Sequence, residues 1–197
     1  MTRTMKTEIK QMNKKIISPT PFGSVCVVWR LSNDKPGIVN ILLSRPGVPA
    51  QDRASALFPD SRKSSCVEID SIAESIKASL EGEPVKFSLK LVDLSPYSKF
   101  QQSVLRAQYA IPRGSVSTYG LIAAHVGSPG GGRAVGNVMA RNPFPILVPC
   151  HRTIRSGCHL GGFGGGTEMK RTLLEKEGII FNIAGKVICP SFYYAPA

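Results

Sequence analysis

The chain has 197 residues, 42% of them hydrophobic, and a formal net charge of +12 at pH 7. That is enough apolar material for a sizeable core and too much for a disordered chain, and no apolar run is long enough to span a membrane. The charge points to a polyanionic partner, with nucleic acid first in that class.

The positive charge is unevenly placed. Between Asp93 and Glu168 there is no acid, while the same span holds Lys99, Arg106, Arg113, Arg133, Arg141, Arg152 and Arg155. An anion-binding face follows from that distribution. Five cysteines, an odd number with no CxxC pair, argue against a disulfide framework and for a reducing, intracellular setting. Met1–Lys15 is polar and basic, lacks the apolar centre of a secretory signal, and reads as a mobile arm, with a transit peptide the weaker alternative.

In chain order, "GSVCVVWRL" and "GIVNILLSR" are β-rich runs around the turn signal "SNDKP", which predicts a hairpin. "SIAESIKASLEGE" carries Ile72, Ile76 and Leu80 on one helical face, with Gly82 as the stop. "PVKFSLKLVDL" alternates Val85, Phe87, Leu89 and Leu91, the pattern of a half-buried strand. In "DLSPYS", Ser95 as N-cap and Pro96 at the first helical position predict a helix whose face includes Phe100, Val104 and Ala107 or Gln108. A domain boundary is expected near residues 92–96. "STYGLIAAHVG", capped by Ser117 or Thr118, and "RAVGNVMAR" predict two short helices about the turn "GSPGGG". That order resembles a helix-turn-helix, whose second helix enters a DNA groove. The small residues Gly132, Ala134 and Gly136 suit close approach either to another helix or to a nucleic-acid backbone.

"NPFPILVPCHRTI" is the chemically distinctive stretch. Its prolines, 143, 145 and 149, predict an edge strand that ends abruptly at Cys150. A thiol reacts as thiolate, and neighbouring cations favour that form. In an extended chain Arg152 shares a side with Cys150 while His151 points away, so His151 needs a bend or a water to act as base. On residues alone, an inert buried thiol remains the commoner outcome. Cys150-His151 and Cys158-His159 match no usual zinc spacing. "GGFGGG" lacks the Gly-Lys-Ser/Thr ending of a phosphate loop and reads as a flexible or closely approached loop. "TEMKRTLLEKEG" predicts a final helix with Met169 and Leu173 on one face and Gly178 as the stop.

From "IPRGSVSTYG" through "GRAVGNVMARNP" and "PCHR" to "KRTLLEKEG", roughly residues 96–178, the sequence resembles the O6-alkylguanine-DNA alkyltransferases, the methylated-DNA–protein-cysteine methyltransferases. The resemblance implies an α/β N-terminal domain (1–92, a small sheet with a helix). A mainly α DNA-binding domain (93–185) would follow, with a helix-turn-helix and an active-site strand and loop, and then a tail (186–197) outside the match. It implies irreversible, single-turnover transfer of the alkyl group from O6-alkylguanine, with O4-alkylthymine a secondary substrate, to Cys150. His151 would activate the thiol through a water, Glu177 would orient the imidazole, and Asn142 would hold the preceding turn. Arg133 would fill the gap left by a flipped base, with Ala134, Gly136, Arg141 and Tyr119 also on the DNA side. Tyr119, Val148, Pro149, Phe163 and Gly164 would line the base pocket. The family often carries Tyr and Ser where Phe163 and Gly164 stand, so a wider pocket or weaker guanine recognition is expected. No cofactor and no metal are implied. The expected partner is double-stranded DNA containing O6-alkylguanine, bound by a monomer with no membrane association, in the cytoplasm or, in a eukaryote, the nucleus. The alternative within this resemblance is an alkyltransferase-like protein that binds lesions without transfer. Such proteins lack the cysteine that is present here. A helix-turn-helix regulator and a cysteine hydrolase are the rivals from other classes.

Overall fold

The computed structural model describes residues 11–188 and 192–196. Its N-terminal part is a four-stranded sheet in the order β3-β2-β1-β4, formed by β1 (Met12–Ile17), β2 (Val25–Ser32), β3 (Lys35–Leu43) and β4 (Arg62–Lys63). The expected hairpin is β2–β3. Its two-residue turn places Asn33 and Asp34 at φ 51° and 58°, the left-handed geometry that matches strand twist and that Asn and Asp tolerate. Strand β1 corrects the reading of Met1–Lys15 as an arm. Residues 12–15 pair antiparallel with Val27–Arg30, and residues 1–10 lie outside the described residues. β1 is mostly half-buried and lysine-rich, so its alternation is invisible in the sequence. Helix α1 (Ala50–Leu57) is likewise unexpected.

Helix α2 (Val67–Glu81) ends at Gly82, φ 106°, as expected. It buries Ile69, Ala73, Ile76 and Leu80, and Ile72 sits at the edge of that face. The strand expected over 85–91 does not form. Residues 89–91 make a 3-10 turn, and the β pairing nearby, among the described residues, is an isolated bridge between Val92 and Ile38. The expected cap of the next helix is also displaced. Helix α3 (Lys99–Ala110) starts from Ser98, whose hydroxyl accepts from Gln101 N while the Gln101 side chain accepts from Ser98 N. This reciprocal capping box outcompetes the Ser95-Pro96 start. Ser95 instead bonds Asp93.

The rest follows in short elements: β5 (Ser117–Thr118), α4 (Tyr119–His125), α5 (Gly132–Ala140), β6 (Thr153–Ile154), α6 (Thr167–Lys176), β7 (Ile180–Phe181) and β8 (Val187–Ile188). Of the two candidate caps of α4, Thr118 is the one used, accepting from Leu121 N, while Ser117 is buried in β5. Helices α4 and α5 form the expected helix-turn-helix. A Cβ on Gly132 would lie 3.5 Å from Gly120 N, and one on Gly136 would lie 3.9 Å from the Tyr119 ring. Both are ordinary van der Waals distances, so α5 packs against α4 at normal contact and neither position requires glycine for it, while Ala134 is exposed.

One buried cluster runs from Val25, Trp29 and Ile41 of the sheet through Ile76 and Leu80 to Leu105, Ile122, Val135, Phe144 and Leu173. Removing side chains of this size from water supplies about 1.5–3 kcal/mol each. The α/β sheet with helix and the helical C-terminal half are thus packed on a shared core, and Cys150 lies within it. No helix among the described residues is long and apolar enough to cross a membrane.

Candidate active site

The stretch before Cys150 is not a strand. Pro143, Pro145 and Pro149 cannot donate to a ladder, and the pairing formed is an isolated bridge between Pro145 and Val148. The chain folds instead into a buried loop closed on itself. Val148 N donates to Phe144 O at 2.8 Å, and Cys150 N donates to Val148 O at 2.7 Å. Asn142 clamps both ends, its Nδ2 donating to Val148 O at 2.8 Å and its Oδ1 accepting from Phe144 N at 3.0 Å. Ile146 is held at φ 76°, a left-handed conformation that a β-branched residue adopts only when its surroundings impose it. Ile41 N of β3 donates to Pro143 O, tying the loop to the sheet.

Cys150 then opens a 3-10 turn, Cys150–Arg152, rather than ending a strand. The turn redirects His151, so the opposite-sides geometry of an extended chain does not apply. His151 is 3% exposed, and its Nε2 lies 3.0 Å from Glu177 Oε1. Glu177 caps the end of α6 and also receives Arg152 at both oxygens. Arg152 Nη1 donates in addition to Ile111 O. Burial alone would raise the Glu177 carboxyl, but the hydrogen bonds from His151 and Arg152 outweigh it and hold the group down at about 2. Burial pushes the His151 imidazole below its ordinary value despite Glu177, so the ring rests neutral. With Nε2–H donated to the carboxylate, Nδ1 is the free lone pair. It is buried and has no hydrogen-bond partner among the described residues.

Burial likewise raises the Cys150 thiol, with the Asn142 amide and the Lys170 charge pulling it back. Lys170 is a site residue that sequence reading missed. Its side chain is fully buried, and its Nζ donates to Thr153 O at 2.6 Å and Gly162 O at 3.3 Å. Burial lowers it to about 8, and the nearby Cys150 opposes that shift. The signal was present: Lys170, Leu173, Leu174 and Glu177 share one face of α6 at helical spacing, and a lysine in an apolar stripe is unusual. The sequence places Gln108 only on a helix face. In the fold it is buried, donates to Pro149 O at 2.8 Å and accepts from the Thr153 hydroxyl.

A cavity of about 360 Å³ opens over Cys150, lined by Tyr119, Gly136, Met139, Phe163, Gly164 and Arg45 among others. The expected pocket residues Tyr119, Phe163 and Gly164 are therefore brought together with the thiol. Val148 and Pro149 are not on this surface. Val148 is enclosed in the loop, and Pro149 faces a different cavity with Phe87 and Tyr109. In the 161–166 loop a Cβ on Gly165 would collide with Met169 Sδ, so close approach explains that glycine, whereas Gly164 has open space around it. Arg45, from the turn after β3, reaches this loop and donates to Gly164 O at 3.2 Å. Arg133 and Arg141, at the start and end of α5, are exposed. Among the described residues, no group of three or more His, Cys, Asp or Glu side chains is placed to hold a metal ion.

A family model described as the DNA-binding domain of 6-O-methylguanine DNA methyltransferase matches residues 99–179. The methylated-DNA–protein-cysteine methyltransferase of Methanothermobacter thermautotrophicus is 41% identical over 111 residues, 56% of this chain and 62% of that protein. Among crystal structures, a variant of the Mycobacterium tuberculosis O6-methylguanine methyltransferase is 30% identical, with a TM-score of 0.67 over 85% of this chain and 93% of that one. This chain belongs to the O6-methylguanine-DNA methyltransferase family. The stretch matched to the curated relatives spans less than two thirds of their own length. A Mycobacterium tuberculosis protein of the same family, solved in complex with DNA, is 29% identical with a TM-score of 0.65 over 85% of this chain and 93% of that one. The methyltransferase fold thus extends across both halves of the chain, although the N-terminal sequence shows it only in layout.

Proposed function

We propose that this protein repairs alkylated double-stranded DNA by direct reversal, moving the alkyl group from guanine O6, and secondarily from thymine O4, to Cys150. The observation that carries the reading is the Cys150 turn. A thiol at the floor of a cavity is followed by a neutral, buried imidazole whose far nitrogen is held by an ionised carboxylate. A water between Cys150 Sγ and His151 Nδ1 takes the thiol proton to the ring, and Glu177 stabilises the imidazolium that forms. Sγ then attacks the alkyl carbon in line. The S–C bond forms as the C–O6 bond breaks, and the guanine leaves with the electron pair and is reprotonated from the imidazolium side. The product thioether is stable, so each chain acts once.

Reaching O6 requires extruding the nucleotide from the stack, at a cost of a few kcal/mol. Arg133, exposed at the first turn of α5, offsets this by occupying the vacated space. Ala134, Gly136 and Arg141 lie on or at the end of the same helix and complete the groove-facing surface. The exposed cations of the acid-free span, Lys99, Arg106, Arg133, Arg141 and Arg155, are available to hold backbone phosphates without sequence preference, as a scanning protein requires. Arg113 is spent on Gly82 O and Lys176 O, and Arg152 on Glu177. We place the protein as a monomer in the compartment that holds the DNA.

The test is a Cys150→Ser variant on an O6-methylguanine duplex. The wild type restores guanine, and the variant binds the duplex with similar affinity but restores none. Guanine restored by the variant would overturn the reading.

A further inference from the structure

Cys150 borders a second cavity, of about 190 Å³, walled by β3, α1 and the end of α5. Its apolar wall includes Leu43, Leu57 and Met139, and Arg45, Arg53 and Arg141 also line it, with no carboxylate among the lining residues. None of the three arginines belongs to an ion pair among the described residues. Arg45 spends its Nε on Gly164 O, and Arg53 donates one Nη1 bond to Leu43 O at 2.6 Å. Their other N–H groups keep donor capacity. Burial first, and then the adjacent charge of Arg45, hold the Arg53 guanidinium below its ordinary value.

Resting on the alkyl-transfer reading, we propose that this chamber takes the remote end of large O6 substituents, and that its arginines select substituents ending in a carboxylate. The same thiol borders both cavities, so a guanine in the larger one directs its O6 substituent past Sγ into the smaller. At about 30 Å³ per water-sized group, the chamber holds roughly six heavy atoms. That is the size of three methylenes and a carboxylate. The methylenes meet the apolar wall, and the carboxylate meets the guanidiniums in the charge-assisted, two-point geometry that arginine favours. The reaction itself is unchanged: Sγ bonds the first methylene carbon, the C–O6 bond breaks, and guanine departs with the electron pair.

The experiment measures single-turnover transfer to Cys150 from three duplexes. They carry O6-(3-carboxypropyl)guanine, its neutral isostere O6-(3-carbamoylpropyl)guanine, or O6-methylguanine. The wild type is expected to take the carboxypropyl group about tenfold faster than the amide, the margin of charge-assisted over neutral hydrogen bonding. Arg53→Gln brings that ratio toward one and Arg53→Glu takes it below one, while methyl transfer stays within about twofold, since a methyl group does not reach the chamber. A wild-type ratio of one, or a ratio that both Arg53 variants leave untouched, would overturn the proposal. So would an equal loss on all three duplexes, which would assign Arg53 to the DNA backbone. Absence of transfer from every duplex, methyl included, would instead overturn the alkyl-transfer reading and this inference with it.

Discussion

Arg152 and Glu177 meet at two points, Nε to Oε2 and Nη2 to Oε1, both at 2.8 Å, with the Glu177 side chain 5% exposed. The same carboxylate receives His151, so a single side chain at the end of α6 orients the two residues that follow Cys150. Removing it strands a buried guanidinium. Glu177→Ala is expected to cost about 3–5 kcal/mol in urea denaturation. Glu177→Gln is expected to keep more of the fold and to slow alkylation at least tenfold, because the imidazolium loses its counter-charge. The folded-state value of about 2 lies below the ordinary carboxylate range. The stabilisation from Glu177 is therefore fully present above pH of about 4.3 and lost as pH falls through about 2. The stability gap between wild type and Glu177→Gln should narrow only in that acid window.

His151 must be neutral to take a proton, and burial lowers its pKa below the ordinary 6.5. The rate of alkylation by free O6-benzylguanine is expected to fall with acid only below the usual imidazole range. An acid limb centred at or above 6.5 would contradict a buried, neutral His151 as base.

Asn142 satisfies Val148 O and Phe144 N at the two ends of the buried loop. Asn142→Ala leaves both without that partner and is expected to cost about 1–3 kcal/mol in chemical denaturation. Alkylation should slow as well, since the loop carries Cys150. A variant as stable and as fast as the wild type would show that the loop holds its shape without the clamp.

Arg133 is exposed and touches none of the reacting groups, so its proposed work lies in the duplex alone. Arg133→Ala is expected to slow repair of duplex O6-methylguanine at least tenfold, the scale of a few kcal/mol of unstacking, while leaving the reaction with free O6-benzylguanine nearly unchanged. Equal losses on both substrates would remove the finger role.

The elements that sequence reading located best are those with strong local signals. The Asn33-Asp34 turn, the Gly82 and Gly178 stops and the Thr118 cap all stand where their side-chain chemistry predicts. Its failures share a cause in tertiary context. Val85–Leu91 alternates like a strand but meets the sheet only beyond its end, at Val92. The run before Cys150 is apolar because it is buried, and its prolines turn it into a loop. Strand β1 lacks a clear alternation because Lys14 and Lys15 interrupt it and only Ile17 is fully buried. Its pairing with β2, with Met12 and Ile16 packed on the second core cluster, is what makes it a strand. At the site, Cys150, His151, Glu177 and Asn142 were legible through a motif. Lys170 left a local signal, a lysine on the buried face of α6, but its partners Thr153 O and Gly162 O were not legible. Gln108 gave no signal of its role, because it acts on Pro149 O, far away in sequence. Arg45 reaches the pocket from the other half of the chain, a contact that no local pattern encodes.

The most direct measurement is mass spectrometry of the intact protein and its peptides after incubation with an O6-methylguanine duplex. The account predicts one added methyl per chain, carried by the peptide containing Cys150, with no further gain at excess duplex. An unmodified protein that still binds the lesion would contradict it.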